Sequence, residues 1–283
     1  MTSSSRLSPS VASELTRIAA SGAAHRGPSS LCSDGLWGQA VELILNSRSI
    51  VIISGFYVPK ASAPETDGPT GAVALAAALS STGRKVRVWT DGLCLSCIKK
   101  CAAVIGLPES IVEDASSYER TGDADLLIYT ERLGRAFDGR YYNMRREDIT
   151  EWTAPLDEFA LSSGLPVIGI GDGGNEVGMG SLSKELAVIM PDYASNLCVV
   201  PADVCIPADV SNWGAYALAA ALSSAKKRWL AQSEEQELAM LRELCDDGAV
   251  DGVTLRREMS VDGMAADVHV SVLSRLREAA AII

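Results

Sequence analysis

The sequence alternates short apolar runs of strand length with longer helical stretches along most of its 283 residues. This alternation predicts parallel strands, because each crossover between parallel strands needs a connecting helix. The expected fold class is therefore α/β, a three-layer sandwich with a mostly parallel central sheet and helices on both faces. The expected strands are residues 49–54, 86–90, 125–130, 167–170 and 197–200. The expected helices are residues 36–46, 70–81, 93–105, 155–163, 182–190, 212–223, 234–245 and 265–280.

The chain contains no internal repeat and no low-complexity linker, so we expect residues 1–283 to form a single α/β domain. Within it, residues 1–30 are expected to be a helical or partly disordered N-terminal extension. They hold three arginines and only one acid, a composition that faintly resembles an organelle transit peptide. A short helix is an equally good interpretation of this segment, because Ser8 could cap its N-terminus and Pro9 could be its first residue.

The composition excludes some partners. A net charge of −11 argues against nucleic acid or an anionic membrane surface as a partner. There is no secretory signal, and no apolar run has the roughly 18–20 residues that cross a bilayer. Cys94, Cys97 and Cys101 would share one helix face, where we expect core packing rather than a metal or redox site. Free cysteines predict a reducing compartment, and we expect the cytoplasm.

Polar segments punctuated by glycine follow each predicted strand. The carboxyl ends of parallel strands meet at one edge of a sheet, and ligands bind outside that edge. We therefore expect the functional site there. The segments are residues 55–71, 91–92, 131–145, 169–180 and 201–203.

The segment from Gly169 to Gly180 has six glycines in twelve residues, with Asp172, Asn175 and Glu176 between them. Glycine lets the backbone approach a ligand or adopt positive φ, which predicts a binding or catalytic loop. Asp172 and Glu176 could share a proton, pair with an ammonium, bind Mg²⁺ or Mn²⁺, or merely bond backbone amides. The segment also matches a dinucleotide fingerprint, but on the fourth predicted strand rather than the first.

Two other loops offer charged groups. Asp67 either caps the helix that follows it or joins Glu65 in binding an amino-acid ammonium or carboxylate. Four arginines within residues 132–145 are either surface ion-pair partners or a carboxylate-binding site. Ser211 is expected to cap a helix, where Asn212 and Trp213 either pack or line a pocket.

The sequence lacks a phosphate-binding P-loop and a Gly-x-Ser-x-Gly nucleophile elbow. Its only histidines, His25 and His269, lie outside the glycine-rich loops. Acid–base chemistry would therefore fall to carboxylates, tyrosine, lysine or water.

Four of these segments together resemble the D-glutamate cyclase family, over roughly residues 36–263. The resemblance implies a lyase that cyclises D-glutamate to 5-oxo-D-proline with loss of water and needs no cofactor for the chemistry. It also implies a free-standing bacterial-type form of a unit that other members carry at the end of a longer mitochondrial protein. The segments are residues 65–69, 134–145, 171–180 and 211–216.

The resemblance and the residues together suggest roles. Asp172, Glu176 and Asn175 would be catalytic, and amides of Gly173 and Gly174 would hold the oxyanion. Arg135 or Arg145 would bind the α-carboxylate, while Glu65 and Asp67 would orient the ammonium. The full set of expected substrate-binding residues is Glu65, Thr66, Asp67, Gly68, Arg135, Asp138, Asn143, Arg145, Gly173, Gly174, Asn212 and Trp213.

Some alternatives stay open at this point. A Mn or Mg ion on Asp172 and Glu176 could polarise the γ-carboxyl instead of protein groups. The chain could also be a nicotinamide-dependent oxidoreductase, or a non-catalytic amino-acid-binding protein on the same scaffold. The expected partner is a small molecule, and a homo-oligomer is left open.

Overall fold

A computed structural model describes residues 7–24 and 26–280, and within them one six-stranded sheet forms the centre. Its strands are β1 Ser49–Ser54, β2 Lys85–Thr90, β3 Val112–Asp114, β4 Leu126–Thr130, β5 Val167–Gly171 and β6 Val204–Pro207. They lie in the order β3-β2-β1-β4-β5-β6, and all neighbouring pairs are parallel. The predicted parallel α/β sheet is therefore confirmed.

Helices cover both faces of this sheet. The described helices are α1 Pro9–Ala19, α2 Gly35–Asn46, α3 Pro69–Ser80, α4 Leu95–Val104, α5 Glu158–Ser162, α6 Ser183–Ile189, α7 Ser211–Lys226, α8 Glu234–Asp246 and α9 Ala266–Ala279. The first four helices and the last three bury their apolar sides in one large core, while α5 and α6 pack on the opposite face. This is the three-layer sandwich that the sequence predicted.

The central strand β1 is buried on both faces, which explains its continuous apolar sequence. Ile50 and Ile52 enter the larger core, and Val51 and Ile53 enter the smaller one. Successive side chains of a strand point to opposite faces, so Ser54 follows Ile52 on the side of the larger core.

Helices α3 and α7 pack closely in the larger core, and both are buried on every side over most of their length. Small residues allow this approach, because a Cβ added to Gly71 would lie 3.0 Å from the Ala215 Cβ. Both helices begin at the carboxyl edge of the sheet, since each follows a strand that ends there. Two helix N-termini therefore meet above the strand ends.

The strand predicted at residues 197–200 is wrong. These residues pair instead with the glycine-rich loop: the Cys198 amide donates to the Gly174 carbonyl at 2.9 Å, and the Gly178 amide donates to Val200 at 2.9 Å. The sixth strand of the sheet is formed a few residues later, by β6. Both segments are apolar and buried, so burial alone did not distinguish them.

The short N-terminal helix is confirmed as α1. The Ser8 hydroxyl accepts a hydrogen bond from the Val11 amide at 3.3 Å, and Pro9 begins the helix. Residues 1–6 and 25 of the predicted extension lie outside the described part of the chain. Cys94, Cys97 and Cys101 are free and buried in the core, as the packing interpretation predicted. No helix in residues 7–24 or 26–280 is long and apolar enough to cross a membrane.

Candidate functional site

A cavity of about 260 Å³ opens at the carboxyl edge of the sheet. It lies beside the ends of β1 and β4, where the strand order reverses its direction and doubly wound proteins bind their ligands. This volume suits a small metabolite better than a dinucleotide. The lining residues are Arg26, Phe56, Val58, Glu65, Glu131, Asn143, Met144, Arg145, Asp172, Asn175, Glu176, Tyr193, Gly252 and Val253.

Helices α3 and α7 cap each other at this edge. The Asp67 carboxylate, just before α3, accepts from the Ser211 and Asn212 amides of α7 at 3.0 and 2.9 Å. In return, the Asn212 side-chain oxygen accepts from the Gly68 and Gly71 amides of α3 at 3.0 and 2.8 Å. The two N-termini are thus held together by an exchanged pair of caps.

This exchange corrects two predictions. Asp67 does not cap its own helix, and Ser211 is the first residue of α7 rather than its cap. The Ser211 hydroxyl instead donates to Glu131 at 2.6 Å. Gly68 has φ of 97°, and a Cβ there would lie 2.7 Å from the Glu131 Cβ, so only glycine fits between the caps and this acid.

Glu131 is a site residue that was not among the expected catalytic or substrate-binding residues. It follows β4 directly, has φ of 44° and is buried. One carboxylate oxygen from each of Asp67, Glu131 and Asp172 lies within 4.8 Å of the others. Burial, together with the charge of Asp172, raises the pKa of both Asp67 and Glu131.

Arg26 is a second residue that the sequence did not indicate. Its guanidinium donates to Asp172 at 2.7 Å and also binds Asp262. The turn that precedes it is fixed by the buried Asp209 carboxylate, which accepts from the Ser21 hydroxyl at 2.8 Å and the Gly22 amide at 2.7 Å. The N-terminal segment therefore supplies a cation to the acidic wall of the cavity.

Glu65 lies on the cavity wall and is only 8% exposed. Burial raises the pKa of Glu65, Arg26 and Arg145 lower it, and the charges of Asp172 and Asp251 raise it, so that the net pKa is about 8. The described groups that shift the pKa of Glu65 act through their charge, and none of them acts through a hydrogen bond to the Glu65 carboxylate. Glu65 is thus a carboxyl group that can exchange a proton near neutral pH.

Glu176 is held inside the glycine-rich loop. Its carboxylate accepts from the Asp172, Gly173 and Gly174 amides at 2.9, 2.7 and 2.8 Å. These amides are therefore occupied and do not fit the predicted oxyanion site, nor a dinucleotide pyrophosphate. Burial and Asp172 raise the pKa of Glu176 to about 7, and the amide hydrogen bonds oppose this rise. Asp172 and Glu176 both line the cavity, and the group of three carboxylates holds Asp172 but not Glu176. A shared acid–base role for Asp172 and Glu176 stays a prediction.

Several positions of this loop require glycine because neighbouring main-chain segments lie too close together for a Cβ atom. A Cβ on Gly178 would lie 2.8 Å from the Gly169 Cα, because the loop folds back across its own strand. A Cβ on Gly180 would overlap the backbone of Val199. These glycines face protein, not the cavity.

In the arginine-rich segment, Arg135 forms ion pairs with other protein residues, whereas Arg145 lines the cavity. Arg135 binds Asp157 through Nε and Nη2 at 2.7 and 3.0 Å and also binds Glu158, away from the cavity. Asp138 is exposed and accepts from the Tyr142 hydroxyl at 2.7 Å. Neither Arg135 nor Asp138 lines the cavity. Arg145 does line the cavity, where its Nη2 donates to the Gly252 carbonyl at 2.8 Å.

Two of the three predicted asparagines, Asn143 and Asn175, also line the cavity. The Asn143 side chain donates to Glu147 at 2.7 Å and accepts from the Arg145 amide at 2.9 Å. The Asn175 side chain donates to the Tyr142 carbonyl at 2.8 Å. Both asparagines thereby fix the loops that shape the wall.

Two predicted substrate contacts lie behind the cavity instead. The Thr66 hydroxyl donates to the Ser260 carbonyl at 2.8 Å. Trp213 is buried in the core and donates to the His269 Nδ1 at 2.8 Å. Burial lowers the pKa of His269, which keeps the ring neutral and able to accept this bond. Thr66 and Trp213 are therefore packing residues.

The comparisons by sequence with known proteins indicate one family. Residues 15–277 match the family model described as D-glutamate cyclase-like, C-terminal. The chain is 36% identical over 217 residues to human mitochondrial D-glutamate cyclase, covering 68% of this chain and 35% of that protein. The chain thus spans about a third of the length of this curated relative. An exopolyphosphatase-related protein from Bacteroides fragilis aligns with a TM-score of 0.45 at 11% identity, covering 88% of this chain and 58% of that chain.

Proposed function

The chain belongs to the D-glutamate cyclase-like family, and on that premise we propose that it converts D-glutamate to 5-oxo-D-proline and water. Family membership supports an enzyme with a D-glutamate cyclase-like function. The observation that carries the specific proposal is Glu65, a buried carboxyl on the cavity wall with a pKa of about 8. It replaces Asp172 and Glu176 as the proposed acid–base group.

The reaction requires two protons to move from the substrate nitrogen to one oxygen of the γ-carboxyl group. The substrate ammonium carries three hydrogens and the lactam nitrogen carries one, so two protons leave with one γ-carboxyl oxygen as water. The net charge of the organic molecule does not change. One group that both accepts and releases protons near neutral pH can therefore serve the whole conversion.

Glu65 can perform this relay. In its ionised form Glu65 takes a proton from the ammonium. The free amine then attacks the γ-carboxyl carbon, and Glu65 returns the proton to an oxygen of that γ-carboxyl group. Glu65 then takes the second proton from the nitrogen of the tetrahedral intermediate and delivers it to the hydroxyl. The C–O bond breaks, water leaves and the lactam carbonyl forms.

The cavity offers a different group for each end of the substrate. The acidic wall near Glu65 and Glu131 favours the ammonium, and Arg145 at the more exposed side favours the α-carboxylate. Arg26 already neutralises Asp172, which reduces repulsion of the γ-carboxylate. Holding the chain folded between these groups turns proximity into rate.

The test is turnover of D- and L-glutamate by wild type and by Glu65→Gln, with 5-oxoproline followed by chiral chromatography. We expect product from the D isomer and a loss of kcat on the order of 10²-fold or more in the variant. Glu119→Gln, which removes an exposed carboxylate, is the matched control and should match wild type.

The pH profile gives a second readout. Because Glu65 must be ionised to accept the first proton, kcat/KM should fall about tenfold per pH unit below pH 8. Absence of 5-oxoproline from both isomers would refute the function. Full activity of Glu65→Gln would refute only the relay.

A further inference from the structure

Residues 250–253, which follow α8, pair directly with the loop that carries Glu65. The Thr66 amide donates to the Val250 carbonyl at 2.9 Å, and the Val250 amide donates to the Pro64 carbonyl at 2.9 Å. These two hydrogen bonds involve the chain neighbours of Glu65 on each side, so they fix the two backbones relative to each other. The sequence indicated no site role for this segment, although it reaches the cavity wall.

Gly252 lies directly against the Glu65 carboxylate. A Cβ at position 252 would overlap the Glu65 Oε1 and lie 2.5 Å from the Glu65 Cδ. The φ of Gly252 is not in the left-handed region, so its backbone conformation is open to alanine. Glycine is therefore required at this position only to leave room for the carboxylate.

The same residue also holds Arg145. The Gly252 carbonyl accepts from the Arg145 Nη2 at 2.8 Å, and the Val253 carbonyl lies 3.4 Å from the same nitrogen. Gly252 thus contacts a carboxylate with its α-carbon and a guanidinium with its carbonyl. In an α-amino acid the ammonium and the carboxylate share one carbon, so a base and a cation on either side of one residue match that arrangement.

Asp251 fixes the conformation of this segment. Its carboxylate is fully buried and closes the turn that runs from residue 251 to residue 263. The carboxylate accepts four hydrogen bonds, from the Val253 amide at 2.8 Å, the Thr254 amide at 2.9 Å, the Ser260 hydroxyl at 2.6 Å and the Gly263 amide at 2.7 Å. Gly252 is therefore held between two anchored residues, Val250 and Asp251.

We propose that Gly252 is a positioning residue, which seats the Glu65 carboxylate beside the Arg145 guanidinium so that the cavity takes substrates with amino and carboxylate groups on one carbon. The inference rests on the proposed function for the roles of Glu65 and Arg145. In its seat against Gly252 the carboxylate stays buried, and burial raises its pKa. Alanine at position 252 would displace the carboxylate, since the end of a flexible side chain moves more easily than backbone, and the open space beside it is the cavity.

The first test measures the pKa of Glu65 without substrate. Protein labelled with ¹³C at its glutamate carboxyl groups is titrated by NMR, and the Glu65 signal is identified by its absence in Glu65→Ala. Gly252→Ala should lower the midpoint of this signal by about one pH unit or more, because the displaced carboxylate gains solvent. Gly38→Ala is the matched control and should keep the wild-type midpoint, since a Cβ there would meet nothing within 4 Å.

The second test measures turnover of D-glutamate. Gly252→Ala should lower kcat about tenfold or more and move the acid limb of the kcat/KM profile to lower pH, while Gly38→Ala should match wild type. In the Glu65→Ala background, Gly252→Ala should have no further effect on kcat, because it acts through Glu65. An additive loss, or a pH profile that does not move, would overturn the positioning role.

The substrate class is tested with 4-aminobutyrate, which closes the same ring but has no α-carboxylate. Its kcat/KM should be lower than that of D-glutamate by about tenfold or more, and Arg145→Ala should remove this difference. Equal use of both compounds by wild type would overturn the assignment to α-amino acids.

The stability of the variants keeps the inference falsifiable if Gly252→Ala does not fold. Glu65→Ala removes the overlapping atoms, so the double variant should then recover stability in urea melts, and a lack of recovery would overturn the inference. Failure of the proposed function is a separate result. Wild type that makes no 5-oxoproline would refute the cyclase, whereas an unchanged Glu65 midpoint in folded Gly252→Ala would overturn the positioning role alone.

Discussion

The exchanged caps at the N-termini of α3 and α7 should make Asn212 one of the most sensitive positions in the fold. In Asn212→Ala, the buried Gly68 and Gly71 amides lose their acceptor, and the Thr66 carbonyl loses a donor at 3.2 Å. A lost cap costs about 1 kcal/mol, and each buried group left unpaired costs about 1–3 kcal/mol. Partial relaxation of the helix ends leaves an expected loss of about 2–4 kcal/mol.

This loss can be measured by urea denaturation followed by circular dichroism. The midpoint should fall at an unchanged m value, and Tm should fall by roughly 4–8 °C in a chain of this length. Asn46→Ala, at the exposed end of α2, is the matched control and should change stability by less than about 0.5 kcal/mol. A similarly small change in Asn212→Ala would show that the exchanged caps do not hold these helices.

Three further outcomes are expected. Arg135→Ala should cost about 2 kcal/mol of stability without changing KM for D-glutamate, because its guanidinium binds Asp157. Arg145→Ala should instead raise KM at least tenfold and barely change stability, so steady-state kinetics and urea melts on both variants decide which arginine meets the ligand. Glu65 and Glu237 have pKa values raised by burial to about 8 and about 7, above an ordinary value near 4.5. Their stabilising effect is therefore full below about pH 4.5 and is lost as pH rises through 7–8. The free energy of unfolding should fall between pH 5 and pH 9, and Glu237→Gln should reduce that fall by roughly 3 kcal/mol; an unchanged slope would contradict the shifted pKa of Glu237.

Most of the sheet could be predicted because its central strands are buried on both faces. β1 was predicted with its observed bounds, and the next long strands were predicted to within a residue or so. The last strand was misplaced because residues 197–200 and β6 are both apolar and buried, and only tertiary pairing separates them. The three-residue β3 was missed because so short a strand has no periodicity to detect.

The location of the site could be predicted, but the roles of its residues could not. Strand ends share one edge of the sheet, which placed Glu65, Arg145 and Asp172 together. Arg26 was missed because it follows no strand and arrives from the N-terminal segment. Caps were assumed to be local, so the exchange between Asp67 and Asn212 was not foreseen. Pairing of this kind is set by the packing of α3 against α7, which no local pattern encodes.

The close backbone contacts of the glycine-rich loop bear on how related sequences should be interpreted. Glycine is required at positions 169 and 178 because the main chain of the loop crosses that of β5 there. Glycine is required at position 180 because a Cβ would overlap the Val199 backbone. Any relative that keeps this crossing must keep these glycines, whatever molecule it binds. The most recognisable stretch of the chain is therefore a signature of its architecture. A change of substrate during evolution would leave that signature intact and would show in Glu65 and Arg145, whose side chains line the cavity.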